Sequence, residues 1–177
     1  MAEAPDEALM AAYRGGDAGA FETLYARHRT RLFHFVLRSI KARAVAEELY
    51  QEIWMRVIEA RTTWTPKARF TTWLYTIAHN HLVDHWRKRG LTLVAQEGDE
   101  VPSASPDPAD HAQARESLAR FAAALEALPA LQREAFLLHE EGGLSVAEIA
   151  AATGCNAETA KSRLRYAIAK LKAAVNA

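Results

Sequence analysis

The chain of 177 residues is half apolar and one-quarter charged, with 22 basic and 22 acidic residues. This composition is typical of a folded protein and excludes a disordered tail. Its one cysteine, Cys155, excludes an internal disulfide and a multi-cysteine zinc site. No apolar run approaches the roughly 20 residues that cross a bilayer, and the acidic start MAEAPDEALM is unlike a signal peptide. We therefore expect a cytoplasmic protein with no membrane insertion of its own.

The zero net charge conceals an uneven distribution along the chain. Residues 1–90 hold 14 Lys and Arg against 10 Asp and Glu, whereas residues 91–111 hold none against five. The acidic segment also contains three of the six prolines, next to Ser and Asp, as linkers do. The sequence therefore predicts two domains, residues 1–90 and 112–177, joined by a flexible acidic linker over residues 91–111.

The first domain is predicted to be a bundle of helices. Apolar residues between Phe21 and Val36 recur at offsets of three and four, which is the pattern of an amphipathic helix. A second helix is indicated over residues 44–60, where apolar residues recur every four positions. Its opposite side carries Glu48, Gln51 and Glu52. That side is either solvated surface or a docking face for a basic partner.

A third helix is predicted from residue 70 to about residue 89, with Trp73, Leu74 and Ile77 in the core. A polar triplet interrupts the apolar stripe, and we expect a break in the helix at this point. The triplet is His79, Asn80 and His81. The helix ends on a basic run of Arg87, Lys88 and Arg89.

Metal and redox sites are not expected. His81 and His85 are four residues apart, as metal ligands on a helix are, but HLVDH has Leu82 where a zinc protease has its glutamate. Cys155 follows a turn glycine and is predicted to be a small buried residue rather than a redox sensor. Because no nucleophile motif is visible either, no catalytic residue and no metal ligand is assigned.

The second domain ends in a predicted helix-turn-helix, preceded by two helices that end near residues 128 and 141. Ser145 and Glu148 have capping-box spacing, Gly154 fits the turn, and Asn156 is placed to cap the next helix. The outward side of that helix displays Glu158, Lys161, Ser162 and Arg165. Side chains in this position read bases in the major groove of DNA.

Four blocks of sequence together match one protein family, in the same order. They are LYQEIWMR at 49–56, FTTWLYTIAHN at 70–80 followed by DHWRKR at 84–89, LPALQRE at 128–134, and TAKSRLR at 159–165. Similar blocks occur in the extracytoplasmic-function sigma factors of bacterial RNA polymerase. The chain resembles this family over about residues 9–175.

The resemblance implies an all-α transcription initiation factor with sigma region 2 over residues 1–90 and sigma region 4 over residues 112–177. It implies no enzyme activity, no cofactor, and three partners: core RNA polymerase, promoter DNA and an anti-sigma factor. The β′ clamp helices of the polymerase would dock on Glu48, Gln51 and Glu52. The minus-10 element would be opened and held by His79, Asn80, His81, Arg87, Lys88 and Arg89. The minus-35 element would be read by Glu158, Lys161, Ser162 and Arg165.

Three other classes of protein explain less of the sequence. A metal-dependent hydrolase needs a third convergent ligand, which is not visible. A one-domain regulator with a helix-turn-helix accounts for residues 129–177 but leaves the motifs of residues 21–89 unexplained. An adaptor that binds only proteins accounts for the acidic helix but not for five Lys and Arg against one Glu in residues 157–173. The sigma factor interpretation accounts for the helix-turn-helix, for the motifs of residues 21–89 with their acidic helix, and for the basic residues of 157–173.

Overall fold

The computed structural model describes residues 2–91 and 111–177, which form eight α-helices and no strand. The helices are α1 (Asp6–Arg14), α2 (Ala18–Ile40), α3 (Arg43–Ala60), α4 (Phe70–Lys88), α5 (His111–Ala127), α6 (Ala130–Glu140), α7 (Val146–Thr153) and α8 (Ala157–Val175). The predicted all-α fold is confirmed. Of the linker expected over residues 91–111, residues 92–110 lie outside the described residues, and residue 111 is the first residue of α5.

Helices α1 to α4 form a first bundle, in which acidic side chains accept hydrogen bonds from the backbone at the start of α2 and of α4. The Asp17 side chain accepts a hydrogen bond from the Ala20 backbone N–H at 3.3 Å and caps α2. The Glu7 carboxylate of α1 accepts a hydrogen bond of 2.7 Å from the Phe70 backbone N–H. This contact places a negative charge at the positive end of α4. The largest fully buried side chains here include those of Phe35 and Ile53.

The expected break in α4 is wrong, because α4 is continuous from Phe70 to Lys88. His79 is buried in the apolar stripe and is accommodated by a partner from outside the bundle, since its Nδ1 lies 2.5 Å from Glu134 Oε1 on α6. Asn80 points to solvent and His81 is half-buried. A polar residue in an apolar stripe thus marks a contact with another helix here, and not a change in backbone direction.

Helices α5 to α8 form a second bundle that contains the predicted helix-turn-helix. Ser145 and Glu148 form the full capping box at the start of α7. Gly154 ends α7 with a φ of 68°, in the left-handed region that favours glycine. Asn156 then caps α8 by accepting a hydrogen bond of 2.8 Å from the Thr159 backbone N–H. These local signals were all predicted, and α7 and α8 are positioned by them.

The two bundles are packed against each other, α4 against α7 and α2 against α6. Their apolar side chains form one continuous core. Tyr75 of α4 meets Gly142 in the turn after α6, where a side chain would have little room. Burial, and then the charge of the nearby Glu141 carboxylate, raise the pKa of the Tyr75 hydroxyl. Each helix of the described residues is too short or too polar to cross a membrane.

Candidate functional site

The first candidate surface is a shallow groove on the outer side of α3. Glu48, Gln51 and Glu52 are all exposed and lie side by side along it. The groove has a volume of about 380 Å³ and is also lined by Met55, Arg56, Glu59 and His81. Met55 is 55% exposed, which is unusual for a large apolar side chain. The groove therefore combines acidic groups with an apolar centre.

Met55 was not singled out from the sequence, and His81 was predicted to contact the minus-10 element and not to line this groove. Met55 lies four residues after Gln51 and three after Glu52, so helical spacing alone places it on the same face of α3. His81 comes from α4, and its Nδ1 lies 3.7 Å from Glu52 Oε2. Only the packing of α4 on α3 brings this histidine to the groove, which is why no local sequence pattern predicts its contact with Glu52.

The second candidate surface is α4, where the six predicted minus-10 residues are not brought together on one face. Successive residues of a helix point about 100° apart, and accordingly His79 is buried, Asn80 is exposed and His81 lies toward α3. The basic end of the helix is exposed throughout. It consists of Arg87, Lys88 and Arg89. Asn80 and the basic end are therefore available to a ligand in this conformation, and His79 is not.

The basic end of α4 also perturbs a histidine beside it. Burial, and then the positive charges of Arg89 and Lys88, lower the pKa of His85. His85 is thus predominantly neutral near pH 7 in the unbound chain. A phosphate placed beside this cluster would supply negative charge and favour the protonated ring.

The third candidate surface is the outer face of α8, and here the structure brings the predicted residues together. Glu158, Lys161 and Arg165 are exposed and Ser162 is half-buried, at offsets of three, four and seven on one helical face. The Arg165 guanidinium carbon lies 5.3 Å from the centre of the Tyr166 ring, within the range of a cation–π contact. Tyr166 was not predicted, although its position next to Arg165 in the sequence was a signal.

The start of α7 carries a further charged contact. Burial raises the pKa of the Glu148 carboxyl, but hydrogen bonds from the Ser145 backbone N–H and Arg69, together with the Arg69 charge, outweigh that effect and lower it. Arg69 Nη1 lies 3.0 Å from Glu148 Oε1 and belongs to the loop before α4. An arginine of the first bundle is therefore held at the first helix of the helix-turn-helix.

Cys155 and the histidine pair of HLVDH were the remaining candidates for chemistry. Cys155 is half-buried against the core, with its Sγ 3.3 Å from the Thr153 hydroxyl oxygen, so its burial is less complete than predicted. Over residues 2–91 and 111–177 there is no group of three or more His, Cys, Asp or Glu side chains that would hold a metal ion.

Each of the two bundles matches a known family model. The family model Sigma-70 region 2 matches residues 24–92, and Sigma-70, region 4 matches residues 118–171. The RNA polymerase sigma factor CarQ of Myxococcus xanthus is 36% identical over 166 residues, which are 92% of this chain and 93% of CarQ. The ECF RNA polymerase sigma factor SigK of Mycobacterium sp. (strain KMS) is 33% identical over 162 residues, or 88% and 83% of the two chains.

The chain belongs to the extracytoplasmic-function (ECF) sigma factors. A solved structure of the sigma factor RpoE from Bartonella quintana, in complex with the anti-sigma factor NepR, is similar in fold and sequence. Its TM-score is 0.67 at 28% identity, with 88% of this chain and 96% of that chain covered. In the present chain, α2, α3 and α4 therefore carry region 2, and α5 to α8 carry region 4.

Proposed function

We propose that this sigma factor docks on core RNA polymerase through the α3 groove and contacts promoter DNA through α4 and α8. The observation that carries the proposal is the separation of charge between exposed helical faces. The α3 groove presents Glu48 and Glu52, whereas the α8 face presents Lys161 and Arg165. An acidic surface suits a basic protein partner, and a basic helix-turn-helix suits DNA.

Docking on the polymerase is assigned to Glu48, Gln51 and Glu52, with Met55 as the apolar anchor. Stable protein interfaces have an apolar centre inside a polar rim, and a few central residues dominate the binding energy. The α3 groove has this arrangement, since exposed Met55 lies among acidic groups. The basic partner is the pair of β′ clamp helices, and residues 1–90 form the docking domain.

Reading of the minus-35 element is assigned to the α8 face, in the domain of residues 112–177. Two caps fix the start of α8 and the end of α7, so the outward side chains are held on rigid backbone. Lys161 and Arg165 supply the cationic donors that recognise guanine or phosphate, and Ser162 and Glu158 supply a hydroxyl and an acceptor. This set is sufficient for a helix in a major groove.

Opening of the minus-10 element is assigned to α4. Each base step of a duplex costs about 1.4 kcal/mol to open, and stacking one freed base on a side chain returns about 1 to 3 kcal/mol. A few contacts from Asn80 and the basic end Arg87–Arg89 therefore balance the cost, and His81 adds to them once it leaves Glu52. His79 joins them only after α6 has moved away from α4.

An anti-sigma factor is proposed as the regulator, because the similar RpoE chain is bound to one. The protein is proposed to act in the cytoplasm, where the polymerase and the promoter are, and to have no enzyme activity of its own. Its action is stoichiometric: it supplies contacts to the polymerase, which performs the chemistry.

The docking assignment is tested by replacing Glu48 and Glu52 together with lysine. The double variant reverses four units of charge in the α3 groove and is expected to abolish co-purification with core polymerase. Glu22→Lys with Glu116→Lys is the matched control, since both residues are exposed and lie on other helices. Unchanged capture of polymerase by a folded Glu48→Lys/Glu52→Lys chain would show that the groove is not the docking site.

A further inference from the structure

Met55 differs from the other exposed apolar side chains of the described residues because it carries a sulfur atom. The large apolar residues that are exposed are Met55 at 55%, Leu91 at 52% and Leu118 at 68%. A thioether is readily oxidised, whereas a leucine side chain is a saturated hydrocarbon. Met55 is therefore both the apolar anchor proposed for the α3 groove and an open target for an oxidant.

The other sulfur atoms of the described residues are less accessible. Met10 of α1 is fully buried, at 0% exposure. The Cys155 thiol is half-buried, and its Sγ lies 3.3 Å from the Thr153 hydroxyl oxygen. Susceptibility to oxidants follows exposure. Over residues 2–91 and 111–177, a small oxidant thus reaches the sulfur of Met55 and not that of Met10.

The polar side chains of the α3 groove leave Met55 uncovered. Arg56 Nη1 lies 3.6 Å from Glu59 Oε2, and His81 Nδ1 lies 3.7 Å from Glu52 Oε2. Glu52 and Glu59 are three residues before and four residues after Met55, on the same face of α3. Their negative charges stabilise the partial positive charge that a sulfur gains when it attacks an electrophilic oxygen. The groove therefore favours oxidation of Met55 by access and by charge.

We propose that Met55 is a site of reversible oxidation to methionine sulfoxide, with a peroxide as the oxidant, and that the oxidised chain docks poorly on core RNA polymerase. The sulfur attacks one oxygen of hydrogen peroxide, so that an S–O bond forms as the O–O bond breaks. Proton transfer through water then releases a water molecule, and the two electrons lost by sulfur reduce the peroxide. This inference rests on the proposed function, because it takes the α3 groove as the docking site.

Oxidation reverses the property that makes Met55 an apolar anchor. A thioether is apolar and adapts its shape to a partner. A sulfoxide oxygen is polar, and its bound water must be removed when the interface forms. Because a few central residues dominate the energy of an interface, the change acts where docking is most sensitive. A docked partner covers Met55, so oxidation acts on the unbound chain.

The test compares peroxide-treated chains with untreated samples of the same chains. Purified parent chain, Met55→Leu and Met10→Leu are incubated with hydrogen peroxide, which is removed by gel filtration before core polymerase is added. Oxidation of each methionine is followed by mass spectrometry of proteolytic peptides, and docking is measured as the Kd for core polymerase. All three chains carry Cys155→Ser, so that oxidation of the thiol does not contribute.

The parent chain is expected to be oxidised at Met55 well before Met10, and then to bind core polymerase about tenfold more weakly. Methionine sulfoxide reductases with dithiothreitol are expected to restore the binding. Met10→Leu should lose binding as the parent chain does. Met55→Leu should have the same Kd before and after treatment, whatever that Kd is. Core polymerase bound before treatment should protect Met55 from peroxide.

Complete oxidation of Met55 with an unchanged Kd would overturn the proposal, as would an equal loss of binding in Met55→Leu or faster oxidation of Met10. These results leave the proposed function standing if Glu48→Lys with Glu52→Lys still abolishes docking. Failure of the proposed function has a different signature. The charge-reversed chain would then keep its affinity for core polymerase, and bound polymerase would not protect Met55.

Discussion

Gly142→Ala tests the packing between the two bundles, because this glycine is closely surrounded. A Cβ at this position would lie 2.6 Å from the Leu138 carbonyl oxygen, 2.8 Å from Leu144 Cδ1 and 3.3 Å from Tyr75 Cε2. The carbonyl oxygen belongs to the backbone and has no alternative rotamer. The turn after α6 must therefore move, and it moves relative to Tyr75 of α4.

The expected loss of stability follows from the crowding around residue 142. Adding one carbon to a packed site costs about 1 to 3 kcal/mol, and each kcal/mol lowers the Tm of a protein of this size by about 2 to 4 °C. Gly143→Ala is the matched control next to it. Gly143 has a φ of 64° and nothing within 4 Å of its Cβ position, so alanine there meets only the backbone cost of about 1 to 2 kcal/mol.

The two variants are separated by energy transfer between dyes on cysteines introduced at exposed positions 12 and 172, one in each bundle, in a chain that carries Cys155→Ser. Gly142→Ala is expected to lower both Tm and energy transfer, since its methyl group acts on the contact with Tyr75. Gly143→Ala is expected to lower Tm alone. Equal energy transfer in the two variants, or a parent-like Tm for Gly142→Ala, would refute the packing argument.

Three further predictions concern the DNA-facing helices. Lys161→Ala and Arg165→Ala are each expected to weaken holoenzyme binding to a minus-35 fragment by about 1 to 3 kcal/mol if the residue contacts a base; a loss that is equal for all sequences would assign that residue to phosphates instead. Asn156→Ala removes the cap on the Thr159 N–H and is expected to cost about 1 kcal/mol in thermal unfolding; unchanged stability would contradict the cap. The pKa of His85 is lowered, so the chain is expected to become less stable as the pH falls below the ordinary histidine range. A DNA phosphate beside His85 favours the protonated ring instead. The DNA affinity of the parent chain should therefore rise from pH 8 to pH 6 more steeply than that of His85→Gln.

The features predicted correctly from the sequence are those fixed by short-range chemistry. The capping box of α7, the left-handed Gly154 and the Asn156 cap each depend on residues within three or four positions of one another. The face shared by Glu48, Gln51 and Glu52 depends only on helical spacing. Because the spacing of neighbouring residues determines these contacts, the sequence pattern alone predicts them.

The features that were missed depend on helices distant in the sequence. His79 was read as a helix break because its partner, Glu134, is 55 positions away on another bundle. Trp73 and Ile77 were expected in the core with Leu74, but only Leu74 is fully buried. Periodicity shows which side of a helix is apolar. It does not show how far a neighbouring helix covers that side.

The packing of region 4 on region 2 was likewise not predictable from composition. The net charges of the two domains differ little, yet Arg38, Lys41 and Arg69 of region 2 each pair with a carboxylate of region 4. The glutamates on the region 4 side of the contact are seven or eight positions apart and lie on α5, on α6, in the turn after α6 and on α7; they are Glu126, Glu134, Glu141 and Glu148. Only the packing of the helices brings these glutamates to the side of region 4 that contacts region 2.

The most direct test of the account is run-off transcription by purified core RNA polymerase with this chain on a randomised promoter library. The account predicts that transcripts arise only when both are present, that the templates share one minus-35 and one minus-10 sequence, and that Glu48→Lys with Glu52→Lys abolishes them. Tight, sequence-specific binding of the library by the chain alone, with no initiation when core polymerase is added, would contradict it.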